Sequence, residues 1–188
     1  MPAPSVPAPQ PPEKIRPLIR YLDSLTGRAS IDRLRELLES TDIALADLRE
    51  FVQFDDEHYR RNLVAIGEWY EILVICWQSG QRSPIHNHAT STCGLKVLDG
   101  VCTETVFDHS PCGQVVALHS TNLAPGYICA SQDTDTHQVS NLQSLGKNLV
   151  TLHIYSPPLR SMQRFSITGG QVDEWRPPVF EFAQGAGI

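Results

Sequence analysis

Gly80-Gln-Arg-Ser-Pro-Ile-His86-Asn-His88-Ala-Thr-Ser-Thr-Cys93, running on to Gly100, is the stretch on which the reading of this chain turns. It lies between two apolar, alternating segments, and His137 follows far downstream. His86 and His88 are separated by one residue, and alternate side chains of a strand share a face. Imidazole suits zinc, copper, iron and nickel, so such a pair with a third His supplied later makes a metal site. No Glu or Asp follows where many such sites place a carboxylate; Cys93 stands there instead.

Outward from this stretch the chain divides in two. From about Phe54 it is made of short β-branched or alternating segments: Asn62–Ile66, Tyr70–Trp77, Thr92–Leu98, Cys102–Phe107, Val115–Leu118, Tyr127–Ala130, Asn148–Tyr155 and Met162–Ile167. Asp99-Gly100, Pro125-Gly126 and Gly169-Gly170 are turn signals between several of them. Many short, evenly spaced strands point to a barrel or double-sheet roll. Before Phe54 the period is helical. Glu13–Ser24 repeats Ile15, Leu18, Ile19 and Leu22, and Ser30 is a good N-cap for Ile31–Leu38. Thr41 or Asp42 is expected to cap a third helix carrying Ile43, Leu45, Leu48 and Val52. The expected fold is mainly β: a small helical layer over residues 13–53, then a single β-barrel or double-sheet roll over 54–188. Residues 1–12, rich in Pro and Ala, read as a disordered tail. Trp175, Phe180 and Phe182 are expected to pack the C-terminal end against the barrel.

At 188 residues the chain is one domain with room for a substantial core. Its net charge of −6 and dispersed basic residues speak against a nucleic-acid groove or an anionic membrane surface. No stretch has the length of a membrane-spanning helix, and the N-terminus lacks the basic start and apolar core of a secretory signal. The five cysteines, Cys76, Cys93, Cys102, Cys112 and Cys129, are odd in number and form no C-x-x-C pair. That favours a reducing cytoplasm over a disulfide framework.

A lone His on a strand is most often a hydrogen-bonded core or surface residue, and His58, His109 and His119 are assigned that way. The spacing from Gly80 through His86, His88 and Cys93 to Gly100 resembles the first cupin motif, with its Glu replaced by Cys93. The second motif is present in part, as His137 with Asn141. By that resemblance His137 closes the metal triad from a facing strand. Cys93 is five residues beyond His88, an odd offset that places it on the other face of a regular strand. Three neutral imidazoles with three open positions suit ferrous iron better than a closed, four-coordinate structural zinc. They also leave the full metal charge to attract a thiolate.

Tyr59-Arg-Arg61-Asn-Leu-Val, Ile75-Cys-Trp77, Ile85-His86-Asn-His88, Cys93-Gly-Leu-Lys-Val-Leu-Asp-Gly100 and Leu152-His153-Ile-Tyr155-Ser-Pro-Pro158 resemble the cysteine dioxygenase family of cupins. The resemblance spans about Glu13–Pro158. It implies a single cupin barrel preceded by helices, with one Fe(II) per chain held by His86, His88 and His137. It also implies a reaction that adds both atoms of O2 to the sulfur of L-cysteine to give cysteine sulfinic acid. Arg61 stands where the family grips the substrate carboxylate, with Tyr59 in the same pocket. Tyr155 matches the active-site tyrosine, Cys93 the cysteine that cross-links to it in animal-type enzymes, and His153 the histidine that hydrogen-bonds it. Two departures stand out: Thr151 replaces a Ser in the Ser-His-Tyr string, and Gly94 stands where a bulkier residue is common. Apart from the resemblance, adjacent strand residues face opposite ways, so only one of Arg60 and Arg61 enters the pocket; the resemblance selects Arg61. Trp77 reads as barrel packing. The partners implied are a small thiol and O2, with neither nucleic acid nor membrane, on a monomer. A 3-mercaptopropionate dioxygenase, whose members usually carry Gln at the Arg61 position, and a non-catalytic metal-binding cupin are the alternatives.

Overall fold

The computed structural model describes residues 9–110, 114–132, 136–168 and 172–181. The expected strand Tyr70–Trp77 is observed with those bounds as β2, and every one of its residues is buried. Alternation explains why the whole run is apolar. Ile72, Val74 and Cys76 point to one core, and Leu73, Ile75 and Trp77 to another. β9 (Leu149–Ser156) has the same character, sending Val150, Leu152 and Ile154 outward and Leu149 and Tyr155 inward. These two strands pair in the middle of a five-stranded antiparallel sheet ordered β1-β2-β9-β4-β7, where β1 is Arg60–Gly67, β4 Thr92–Asp99 and β7 Ile128–Gln132. A strand buried on both faces needs cover on both sides.

The outer cover is the helical layer. A short 3-10 turn (Glu13–Ile15), α1 (Arg16–Asp23) and α2 (Ile31–Ser40) lay Ile15, Leu18, Leu22, Leu34 and Leu38 on the outer face of the sheet. Ser30 caps α2 by accepting from the Arg33 N–H. The expected third helix is instead a 3-10 segment, Leu45–Phe51. Thr41 does not start it; its hydroxyl donates to Leu37 O and closes the end of α2. The turn that does start it is tied by Asp47, whose carboxylate accepts from the Ala44 N–H. Gly94, the departure noted in the sequence, sits under this layer. A Cβ there would come within 2.9 Å of Leu38 Cδ1 and 3.0 Å of Leu34 Cδ2, so glycine lets α2 lie directly on β4.

The inner cover is a second antiparallel sheet of six strands, ordered β11-β10-β3-β8-β5-β6. Here β3 is Ile85–His86, β5 Cys102–His109, β6 Val115–Leu123, β8 Thr136–Ser140, β10 Met162–Phe165 and β11 Val172–Trp175. The two sheets enclose the inner core, with Leu95, Val97, Leu123, Val139 and Met162 packed on Leu73, Ile75 and Trp77. This is a cupin-type double-sheet roll with a small helical layer on one side, and it is mainly β. Gly100 turns β4 into β5 with φ +74°, and a Cβ would be driven into Asn148 O, so the turn requires glycine. Residues 1–8 of the Pro-rich tail, the Gly169-Gly170 turn, Cys112 and Phe182 lie outside the described residues. Cys76 and Cys102 are free thiols, both buried. Among the described residues no helix is long and apolar enough to cross a membrane.

Candidate metal centre and adjoining pocket

Register in the six-stranded sheet brings the histidines together. His86 on β3 is the direct cross-strand partner of His137 on β8. His88 follows just beyond β3. The three residues are buried, and their candidate ligand atoms all lie within 4.8 Å of one another. Among the described residues they are the one such group of His, Cys, Asp or Glu side chains.

The outer nitrogens decide how the rings face inward. His86 Nδ1 is 2.9 Å from Pro84 O, and His137 Nδ1 is 2.7 Å from Glu104 Oε1. A carbonyl or carboxylate takes only a donor, so both Nδ1 atoms carry the proton and both Nε2 lone pairs turn toward the centre. Burial, reinforced by the His137 and His88 rings, holds His86 well below the usual imidazole range, which keeps it a neutral ligand. His137 Nε2 and His88 Nε2 are 3.2 Å apart. Two nitrogens bound at right angles to one ion at about 2.1 Å lie about 3 Å apart, so His137 and His88 are spaced as two ligands of a single ion. The sequence expectation of neutral imidazoles did not include Glu104. It sits on β5, diagonally across the β5–β8 pairing from His137, and its carboxylate backs the ring from outside the cavity. Nothing in the local sequence marks Glu104, because the strand pairing that supplies its partner is non-local.

Beside the histidines is a small cavity lined by Tyr59, Arg61, Ile75, Trp77, Val139 and Tyr155 among others. Arg61 is 2 % exposed and enters it from β1. Arg60 turns outward, donating to Asn62 Oδ1 and lying 4.3 Å over the Phe180 ring. Arg61 Nη2 pairs with Glu71 Oε1 at 3.2 Å, and Glu71 also accepts from the Leu159 N–H. Burial raises the Glu71 pKa, with Arg61 opposing. Arg61 Nε is buried with no hydrogen-bond partner among the described residues, a donor left open to a ligand. Glu71 was not picked out in the sequence: it reads as an interruption of an apolar strand. Tyr59 stacks on Trp77 at 4.3 Å, and burial pushes its phenol up to about 12.

Tyr155 closes the opposite wall. Its ring centroid is 5.7 Å from that of His88, and the Arg61 guanidinium lies 5.4 Å above it. Its hydroxyl is 3.1 Å from His153 Nδ1, His153 Nε2 is 2.9 Å from Thr151 Oγ1, and Thr151 accepts from Trp77 Nε1 at 3.1 Å. Burial lowers His153 and raises Tyr155, each far from its ordinary range. Cys93 is directly opposite Tyr155 in the β4–β9 register, inside the roll. The parity argument that put it on the other face fails because the strand is not continuous. The chain turns after His88, with Ala89 at φ 50° and Ser91 N–H donating to His88 O, and β4 begins a new count. Cys93 is still no part of the three-His group. His58 and His119 are exposed, and His109 bonds Thr136 Oγ1, all away from this cavity.

A family model described as cysteine dioxygenase type I matches residues 6–168. The chain belongs to the cysteine dioxygenase type I family. Relatives include cysteine dioxygenase type 1 of Danio rerio, 34% identical over 166 residues, covering 82% of this chain and 80% of that protein. The Homo sapiens protein of the same name is 29% identical over 160 residues, with the same two coverages. Among solved structures, TT1209 from Thermus thermophilus superposes with a TM-score of 0.50 at 20% identity. That match covers 60% of this chain and 95% of TT1209, and shows a common fold only. Members of the cysteine dioxygenase family are metal enzymes acting on small molecules, in keeping with a three-His group beside a small closed cavity.

Proposed function

We propose that this chain is a non-haem iron cysteine dioxygenase that converts L-cysteine and O2 to cysteine sulfinic acid. The observation that carries the reading is the pairing, across one cavity, of three converging imidazoles with a buried guanidinium whose Nε is unsatisfied. His86, His88 and His137 would hold the iron, which supplies the Lewis-acid and redox chemistry that joins dioxygen to sulfur at the sulfinic rung of thiol oxidation.

The protein's own groups do the rest. Arg61 offers charge-assisted hydrogen bonds to the substrate carboxylate and so fixes its orientation. Glu71 and Leu159 hold that guanidinium from behind. Trp77, Ile75, Val139 and Met162 wall the cavity with apolar surface and keep bulk water out. The Thr151 hydroxyl proton has two takers, His153 Nε2 at 2.9 Å and Ile75 O at 3.4 Å. Given to the nearer one, it makes His153 a donor at Nδ1 and leaves the Tyr155 O–H free to donate into the cavity. The side-by-side register of Cys93 and Tyr155 also supports a thioether between them, formed by a two-electron oxidation in which the thiol hydrogen and one ring hydrogen are lost and O2 takes up the electrons and protons.

The test is oxygen uptake by iron-loaded and zinc-loaded protein across a panel of thiols. L-cysteine should be consumed by the iron form with cysteine sulfinic acid as product, and Arg61→Ala should raise its KM by about tenfold or more. A preference for 3-mercaptopropionate would change the substrate, and stoichiometric zinc with no oxygen uptake would end the dioxygenase reading. A gel doublet that collapses in Cys93→Ser would report the thioether.

A further inference from the structure

The last described segment of the chain crosses the seam between the two sheets. At one end β11 is an edge strand of the six-stranded sheet, with Trp175 opposite Met162 of β10. Five residues on, Phe180 lies parallel to Asn62 on β1, the edge strand of the other sheet. The Phe180 N–H donates to Arg61 O at 2.9 Å, and Phe180 O accepts from the Leu63 N–H at 3.0 Å. Val179 packs on the inner core alongside Tyr59 and Leu63, and the Phe180 ring lies under the Arg60 guanidinium. Between the anchors runs Arg176-Pro177-Pro178, in which the fixed φ of the two prolines makes a stiff strut of about 3 Å per residue. Residues 172–181 lie beyond the part of the chain matched by the family model.

Both anchors bear on the cavity. Met162, held opposite Trp175, lines it, and so does Arg61, whose carbonyl Phe180 holds. Tyr59 lines it too, and shares with Trp175, Pro84 and Arg164 the wall of the open cleft outside. Without Phe180 the outer edge of β1 would lack these two bonds at the residue that aims the guanidinium, and a strand edge held from one side opens readily. Misplacement by about 1 Å is enough to spoil an oriented carboxylate contact.

We propose that residues 172–181 form a specificity strap: Phe180 fixes the Arg61 backbone, and closure across the seam restricts the cavity to thiols the size of one amino acid. The inference rests on the reading of Arg61 as the carboxylate anchor. Its test uses the iron-loaded full chain, the Phe180→Pro variant, which removes the donor to Arg61 O, and a chain ending at Pro178, which removes that bond and the acceptor for the Leu63 N–H without introducing a proline. Arg60→Met, which removes the contact with the Phe180 ring and the bond to Asn62 Oδ1 but leaves both backbone bonds of Phe180, is the control.

In both strap variants the anaerobic Kd and the KM for L-cysteine should rise tenfold or more while kcat stays within threefold and iron content is unchanged. The wild type should leave glutathione untouched, and in both strap variants glutathione should become a substrate. Arg60→Met should keep the wild-type KM within twofold. Unchanged Kd and KM for L-cysteine in the strap variants would overturn the proposal. So would a wild-type Leu63 amide that exchanges with deuterium as fast as exposed loop amides, a measurement independent of whether either variant folds. Wild-type protein that binds L-cysteine but consumes no oxygen defeats the dioxygenase reading alone, and the strap is then judged on Kd. Wild-type protein that binds no L-cysteine overturns both.

Discussion

Replacing Glu71 with Leu keeps the volume of the site and removes the counter-charge of Arg61. The two side chains are 3% and 4% exposed, so water cannot take over the role of the carboxylate. Breaking a buried pair from one side costs about 3–5 kcal/mol, mostly through the charge left behind. The Leu159 N–H loses its acceptor as well, at about 1 kcal/mol or more. For a domain of this size each kcal/mol shifts Tm by about 2–4 °C, so the combined loss of about 4–6 kcal/mol should make Glu71→Leu melt roughly 8–24 °C below wild type. Glu71→Gln separates charge from contact, since the amide oxygen still accepts from Arg61 Nη2 or Leu159 N–H. It should lose less stability and bind the carboxylate of L-cysteine more tightly, because Arg61 now faces the cavity with its charge uncompensated. The double variant Arg61→Met, Glu71→Leu should recover about 3 kcal/mol relative to Glu71→Leu, since burying apolar groups in place of a pair is close to neutral. Thermal and urea melts of the metal-free proteins check all three. A Glu71→Leu protein that melts within 2 °C of wild type, or a double variant no more stable than Glu71→Leu, would show that the pair is not desolvated as the structure has it.

Glu104→Gln should weaken iron binding by about 10–100-fold, measured by competition with a chelator, because His137 loses its charged acceptor at Nδ1. Thr151→Val removes the hydroxyl shared by Trp77 and His153; kcat for L-cysteine should fall about five- to tenfold with KM little changed, and stability should drop by about 1–2 kcal/mol. For pH dependence, burial and then Arg61 lower the His153 pKa in the folded protein below its ordinary 6.5. The unfolded chain therefore takes up the proton first. The stability gained from a neutral His153 is complete above about pH 6.5 and is lost as pH falls toward the folded pKa, by up to about 1.4 kcal/mol per pH unit. Melts of wild type and His153→Gln from pH 7.5 to 5.5 should show a shallower slope in the variant.

The sequence showed most clearly the elements whose environment is uniform along their length. β2 is legible to the residue because both of its faces are buried, so burial alone dictates Tyr70–Trp77. β8 is not legible from its own residues, for the opposite reason. Thr136-His-Gln-Val-Ser140 is polar because it carries His137, and its strand character comes from pairing with β5 and β3 rather than from its own composition. β3 has two residues, too few for a period, yet it places His86 against His137. The histidines themselves were visible because their spacing is local. The groups that complete the site were not: Glu104 reaches a histidine 33 positions away, and Glu71 and Leu159 are 88 positions apart.

Cys93 shows the same division. A count of residues from His88 assumed one unbroken strand, and the left-handed turn at Ala89 resets it. What places Cys93 beside Tyr155 is the register of β4 on β9, and that register is pinned by contacts outside the site. Gly94 lets α2 sit on β4, and Gly100 is the residue that fits the turn against Asn148 O. The chemistry of the cavity therefore depends on two glycines that touch none of it. A side chain at either would move Cys93 relative to Tyr155 before disturbing any histidine. Gly94→Val should accordingly lower the yield of the cross-linked gel species while leaving metal content unchanged; loss of both together would mean that the register is set elsewhere.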